Sequence, residues 1–207
     1  MNKVNNKKIC IICEGSEEFD YLTQLKKLNV WNPIYNITLK NAKSIDNIIP
    51  IYQYMYQTSN NDLILIFCDT EIMPYTQFIN VKNKLNKFHN IRDIDKSLLC
   101  FANPCTMQII LSHFDKIKLK SNQKSDNSLI IKKLTGINKY QATEEQRINL
   151  MKKINNSNYM EMKQNLHNIS IDFNIKPSTN FLQFLNNLES NDISWINTIN
   201  NKLLKED

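Results

Sequence analysis

Acidic residues follow the two most apolar segments of this 207-residue chain. Glu14 comes directly after residues 8–13 (KICIIC), while Asp69 and Glu71 come after residues 62–68 (DLILIFC). Clustered carboxylates are hard oxygen ligands that suit Mg²⁺ or Mn²⁺. Such an ion polarises a phosphoryl oxygen and generates a nucleophilic hydroxide, so the pattern indicates metal-assisted hydrolysis. The alternative interpretation, that these acids are solvated loop residues, stays open at this point.

The segments that precede these acids have the composition of strands buried on both faces. Two further strands are predicted at residues 33–39 and 97–102. Helical patterns lie between and after the strands, at residues 17–28, 44–57, 74–88 and 104–114. Strands that alternate with helices of this length predict βαβ crossovers and a mainly parallel α/β sheet flanked by helices.

In such a sheet, ligands bind at the carboxyl ends of the strands. If the two apolar strands are neighbours, Glu14, Asp69 and Glu71 converge at one edge of the sheet. Asp69 and Glu71 point to the same side if the chain stays extended between them. Ser16 is predicted to cap the following helix. This places Glu18 in the first helical turn, where it could be an additional ligand or orient one.

Strand-like patterns stop at about residue 121, and polar helices joined by Asn/Ser-rich turns follow. The predicted organisation is therefore an α/β core over residues 1–120. A helical carboxy-terminal extension, residues 121–207, is expected to pack on that core.

The spacing of the acids resembles that of the TOPRIM domain, which occurs in topoisomerases, primases and several nucleases. The shared features are a strand that runs into Glu14-Gly15, an acid at Glu18, and a later strand that ends in Asp69-x-Glu71. Two more segments resemble RloB-like TOPRIM proteins, namely Asn103-Pro104-Cys105 before a helix ending at His113-Phe114, and Pro177-Ser178-Thr179-Asn180. The resemblance covers nearly the whole chain in the expected order.

The resemblance implies a TOPRIM-like, Rossmann-type sheet that carries a divalent-metal-dependent endonuclease. The implied ligands of Mg²⁺ or Mn²⁺ are Glu14, Glu18, Asp69 and Glu71, and the implied catalytic residues are Glu14, Asp69, Glu71 and His113. RloB-like proteins occur in bacterial anti-phage and abortive-infection systems, often beside a separately encoded ABC-type ATPase. The substrate would then be a nucleic acid, either RNA (tRNA included) or DNA.

The chain departs from the family pattern at the candidate site. Glu71 stands where aspartate is usual, and Thr106 and Met107 stand where the family has Phe-Glu. Gln108 is the nearest polar substitute for that acid. These departures favour an alternative function, a catalytically silent TOPRIM-like regulatory or nucleic-acid-binding subunit of a defence complex.

The charge balance, 26 Lys and Arg against 20 Asp and Glu, gives a formal net charge of +6. Only Arg92 and Arg147 are arginines. Lysine binds phosphate as a point charge, whereas arginine's planar fork reads bases, so contacts with a nucleic-acid backbone should dominate. Lys116, Lys118 and Lys120 could contact phosphate or could form a solvated face, and both interpretations stay open.

Four cysteines, Cys10, Cys13, Cys100 and Cys105, could in principle form a zinc site. Cys10 and Cys13 lie in a predicted strand, where residues three apart face opposite sides, so buried thiols are the preferred interpretation.

Several classes of protein are disfavoured. No apolar run approaches the length of about 18 residues that a membrane-spanning helix needs. The segment MNKVNNKK leads into only five apolar residues before Glu14, which is unlike a secretory signal and predicts a reduced, cytoplasmic setting. No glycine-rich phosphate loop or nucleophile-elbow motif is present, which argues against a small-molecule α/β enzyme.

Overall fold

A computed structural model describes residues 6–94 and 96–204 of the chain. Its centre is a five-stranded sheet with the order β2-β1-β3-β4-β5. The strands are β1 (Lys7–Cys13), β2 (Tyr35–Asn41), β3 (Leu63–Asp69), β4 (Leu99–Asn103) and β5 (Ser178–Thr179). The first four are parallel to one another, and β5 pairs antiparallel with β4. The predicted mainly parallel α/β sheet is therefore confirmed.

Helices connect and cover the strands. Those of the first half are α1 (Ser16–Lys27), α2 (Ile48–Thr58), α3 (Thr76–His89) and α4 (Met107–Leu111), with a 3₁₀ turn at Ile45–Asn47 before α2. Those of the second half are α5 (Lys124–Thr135), α6 (Glu144–Met151), α7 (Asn156–Leu166), α8 (Phe181–Glu189) and α9 (Ser194–Leu203). Among the described residues, no helix has the length and apolarity needed to cross a bilayer.

The two apolar strands that precede the acids are neighbours, as their composition predicts. Ile12 of β1 pairs with Ile66 of β3, and Cys13 pairs with Phe67. All four side chains are completely buried, and each strand is flanked by another on its other side. The carboxyl ends of β1 and β3 therefore meet at the same edge of the sheet.

The expectation that strands end near residue 121 is wrong. β5 extends the sheet beyond β4, because Ser178 pairs with Asn103 and Thr179 with Ala102. Asn180 then secures the edge of β4: its Oδ1 accepts the backbone N–H of Phe101 at 2.8 Å, and its Nδ2 donates to the carbonyl of Leu99 at 3.0 Å. A two-residue strand is too short to produce a visible alternation, which is why the sequence pattern missed it.

The helix after β5 belongs to the core. The Phe181 ring of α8 lies 5.4 Å from that of Phe67 in β3, centroid to centroid, and both residues are completely buried. Residues 178–188 belong to the carboxy-terminal extension in sequence, but they pair with the sheet and pack against it. The division at residue 120 remains a prediction. The prediction that the segment MNKVNNKK is not part of a secretory signal rests partly on residues 1–5, which lie outside the described ranges.

Candidate functional site

Glu14 and Asp69 are in direct contact where β1 and β3 end. The backbone N–H of Glu14 donates to the carbonyl of Phe67 at 3.0 Å, which continues the pairing of the two strands. The backbone N–H of Asp69 then donates to Glu14 Oε2 at 2.9 Å. The predicted convergence of these two acids follows from the parallel register of the strands.

Thr106, at the N-terminus of α4, fixes the Asp69 side chain. Both its backbone N–H and its hydroxyl donate to Asp69 Oδ1, each at 2.7 Å. A carboxylate that accepts two such bonds on one oxygen is held in a single orientation. Oδ2 is left outside these bonds and is the oxygen that could bind a ligand.

Glu71 reaches the same site by a different route from the one predicted. Its φ of 63° lies in the left-handed region, so the chain does not stay extended after Asp69. The Glu71 side chain nevertheless lines a cavity of about 100 Å³ together with Asp69. Asn122 Nδ2 donates to Glu71 Oε2 at 2.7 Å and orients it there.

Glu17, which the sequence pattern did not single out, also lines this cavity. Tyr140 donates to Glu17 Oε1 at 2.6 Å, and the Lys124 ammonium lies 3.6 Å from Glu17 Oε2. The acidic pair Glu17-Glu18 was visible in the sequence, but the rotation of α1 decides which member faces the cavity. We call this space, lined by Glu17, Asp69 and Glu71, the acidic cavity.

Glu18 lies in the interior at the start of α1. Its Oε2 accepts the backbone N–H of Gly15, the N-cap residue, at 2.9 Å, which is the half of a capping box that the N3 side chain supplies. The predicted cap, Ser16, is wrong, because its hydroxyl instead accepts Asn41 Nδ2 at 3.2 Å. A Cβ at Gly15 would stand 3.2 Å from Glu18 Oε2, so this close approach favours glycine. Glu18 therefore supports the loop that carries Glu14.

The carboxyl groups raise one another's pKa. Burial, followed by the charge of Glu18, raises the pKa of Glu14 to about 8. Burial and the charges of Glu18 and Glu14 raise the pKa of Asp69 well above its usual range. Burial and the charge of Glu17 raise the pKa of Glu18. Negative charge at this edge is thus concentrated, and a bound cation or proton would stabilise it.

The donor set fits a hard divalent cation chemically. Glu14 Oε1, Asp69 Oδ2 and Glu71 Oε1 are all carboxylate oxygens left outside the hydrogen bonds described above. In the described part of the chain, no three His, Cys, Asp or Glu side chains are arranged to hold a metal ion as they stand.

His113, an implied catalytic residue, is completely buried. Its Nε2 hydrogen bonds with the Tyr21 hydroxyl at 2.9 Å, and its Nδ1 lies 3.3 Å from Asn158 Oδ1. Burial lowers the pKa of His113 to about 4, so the ring is neutral at pH 7. With both ring nitrogens bonded in the interior, the geometry favours a role in packing α1 against α7. Catalysis by His113 stays a prediction.

Met107 and Gln108, where the motif resemblance leads us to expect an acid, have different surroundings. Met107 lines the acidic cavity. Gln108 is completely buried and bonds to the backbone of Ile117 and Leu119, so it does not replace an acid at the site.

The cysteines are free thiols in the sheet and beside it. Cys10, Cys13, Cys68 and Cys100 are buried, and Cys105 is half-buried at the acidic cavity. Burial raises the pKa of each of these thiols, which favours the protonated form over a metal-binding thiolate.

Comparison with protein-family models, with curated proteins and with solved structures gives no match for this chain. The function must therefore be inferred from the geometry of the site and the motifs of the sequence.

Proposed function

We propose that the protein is a divalent-metal-dependent endonuclease with a TOPRIM-like fold that hydrolyses phosphodiester bonds in RNA or DNA. The observation that carries the proposal is the contact between Glu14 and Asp69 at the carboxyl ends of β1 and β3, with Glu71 lining the same cavity as Asp69. Ligands bind at this edge of parallel sheets, and an all-carboxylate donor set suits Mg²⁺ or Mn²⁺.

The side chains can be given separate roles. A bound cation would lower the raised pKa of Glu14, and the deprotonated carboxylate would then orient the attacking water and accept its proton. Asp69 and Glu71 would hold the cation, and the bonds from Thr106 keep Asp69 in the orientation that this needs. Glu18 positions the Glu14 loop through Gly15. When bound, Mg²⁺ or Mn²⁺ polarises the phosphoryl oxygen and lowers the pKa of a water ligand.

The biological setting is inferred from the motif resemblance. Segments similar to RloB-like proteins support a role as the effector of an anti-phage or abortive-infection system in the bacterial cytoplasm. No nucleotide-binding loop occurs in the sequence, so regulation by ATP would need a separately encoded ABC-type ATPase.

A cleavage assay tests the activity. The purified protein is incubated with tRNA, messenger RNA and plasmid DNA, with Mn²⁺ or with EDTA, beside the variants Glu14→Gln and Asp69→Asn. Metal-dependent cleavage that both substitutions abolish supports the proposal. Cleavage that persists in both variants places the activity elsewhere or in a contaminant.

A second function, a catalytically silent regulatory or nucleic-acid-binding subunit, is favoured by the wall of the acidic cavity. Met107 stands where the resemblance leads us to expect an acid, and Thr106 saturates one oxygen of Asp69. Divalent-ion binding without cleavage of any substrate would support this alternative.

A further inference from the structure

Residues 116–120 present an exposed row of lysines. Lys116, Lys118 and Lys120 are exposed, whereas the intervening Ile117 and Leu119 are buried. This alternation is typical of extended backbone, in which successive side chains point to opposite sides. Alternate residues of an extended chain lie about 6.5–7 Å apart, so the three ammonium groups project from regularly spaced positions.

Gln108 of α4 holds this segment in place from beneath. Its Nε2 donates to the carbonyl of Ile117 at 3.0 Å, and its Oε1 accepts the N–H of Leu119 at 2.8 Å. In extended backbone these two groups point in the same direction, so one side-chain amide satisfies both. Because Gln108 is completely buried and the Ile117 and Leu119 side chains are packed, the backbone that carries the lysines is held in place without a ligand.

Among the described residues, the charges of the row have no ion-pair partner. In the described part of the chain, the ammonium groups of Lys116, Lys118 and Lys120 have no carboxylate within 4.0 Å, whereas that of Lys124 lies near Glu17. A regular series of uncompensated positive charges complements a polymer that carries one negative charge per nucleotide.

The row leads directly to the acidic cavity. Asn122, which donates to Glu71, follows Lys120 by two residues, a span of about 7 Å at most. Lys124, two residues further on, faces Glu17. The same stretch of chain therefore carries the exposed lysines and one wall of the candidate site.

We propose that residues 116–120 form a binding track for the backbone of a single-stranded nucleic acid, which the track directs into the acidic cavity. The inference rests on the proposed function for the destination of the strand, but not for binding itself. Lysine contacts phosphate without reading bases, so binding is independent of sequence and strongly dependent on salt.

The test is the fluorescence anisotropy of a labelled oligo-dT and an oligo-U of about 12 nucleotides, with EDTA present so that no cleavage occurs. The triple variant Lys116→Gln, Lys118→Gln, Lys120→Gln should raise Kd at least tenfold at 100 mM salt. The slope of log K against log salt should fall by about 2, since each contact with a single strand contributes about 0.7. Replacing the same three lysines by arginine should retain binding.

The matched control is Lys27→Gln, Lys84→Gln, Lys87→Gln. It removes the same charge from exposed positions in the last turn of α1 and in the second half of α3. This control should change Kd less than threefold. Binding to anionic phosphatidylserine vesicles is measured in parallel. The proposal would be overturned if both triple variants lost oligonucleotide binding equally. It would also be overturned if the track variant lost binding to the vesicles but not to the oligonucleotides.

The result separates the track from the nuclease. If the glutamine variant loses binding and the wild-type protein cleaves no substrate, the track is supported and the proposed activity is not. Cleavage with unchanged Kd and KM in the glutamine variant supports the activity and overturns the track.

Discussion

The backbone N–H of Asp69 donates to the carboxylate of Glu14 at 2.9 Å, and this bond joins the ends of two neighbouring parallel strands. It places two acids in contact that lie far apart in the sequence, and burial keeps the charge of the pair poorly solvated. A structural role alone would be served by neutral groups with less electrostatic cost. The contact is therefore the most informative point at which to test the site.

Asp69→Asn should reduce metal-dependent cleavage by more than about 100-fold, because altering even a residue that only orients a metal ligand costs up to about 100-fold. The fold should be retained, because an asparagine at this position can still accept both bonds from Thr106. Cleavage rates and a thermal melt of the same preparation measure the two effects. Glu161→Gln, at an exposed position on α7, is the control and should leave both unchanged.

Mn²⁺ should stabilise the protein against heating. At about 100 times its Kd, a ligand adds about 2.7 kcal/mol to the free energy of unfolding. For a chain of this size this raises Tm by about 5–10 °C. Glu14→Gln and Asp69→Asn should lose the increase, whereas Glu161→Gln should keep it.

Sodium chloride at matched ionic strength controls for the screening of repulsion among the carboxylates in the metal experiment. An equal increase in Tm with sodium alone would remove the evidence for a specific ion.

His113 should make the protein less stable in acid. Its pKa is lowered to about 4 from an ordinary value near 6.5, so the unfolded chain binds the proton more readily than the folded one. The stability supplied by the neutral ring is complete above pH 6.5 and is lost as the pH falls towards 4. The difference in free energy of unfolding between the wild type and His113→Phe should therefore shrink by about 2 kcal/mol from pH 6.5 to 5.

Urea denaturation at several pH values measures the free energy of unfolding of both proteins. Taking the difference between them removes the pH dependence contributed by the acidic cluster, which both proteins share. His167→Phe, at an exposed position, is the matched control and should give a much smaller change. A constant difference for His113→Phe would mean that the buried ring is not held neutral.

Asn180→Ala should lower the free energy of unfolding by about 2–4 kcal/mol. The substitution leaves the buried N–H of Phe101 and the carbonyl of Leu99 without their partner, and each such group costs about 1–3 kcal/mol. Asn186→Ala, at an exposed position on α8, the helix that follows Asn180, should change the free energy of unfolding by less than about 0.5 kcal/mol. Equal effects would show that Asn180 does not secure β4.

The sequence was sufficient to predict the sheet's central pair and the meeting of Glu14 with Asp69, because burial on both faces leaves an unmistakable apolar run. It was insufficient for the parts that depend on backbone rotation. Glu71 arrives through a left-handed turn without glycine, and the choice of Glu17 over Glu18 at the cavity depends on the phase of α1.

Long-range partners were also beyond reach of the sequence pattern. Asn122 and Tyr140 orient Glu71 and Glu17 from the second half of the chain, and nothing local in the sequence marks them for that role. Gln108 resembled a substitute ligand by position, but its two backbone bonds show that it supports residues 117–119 instead.

The pairing of β5 with β4 also affects folding while the chain is being synthesised. The four parallel strands are synthesised first, and β4 has an unpaired edge until Ser178, Thr179 and Asn180 have been added. An open edge of this kind is a template for pairing with other chains. Aggregation of nascent chains should therefore increase when the residues between β4 and β5 are translated slowly.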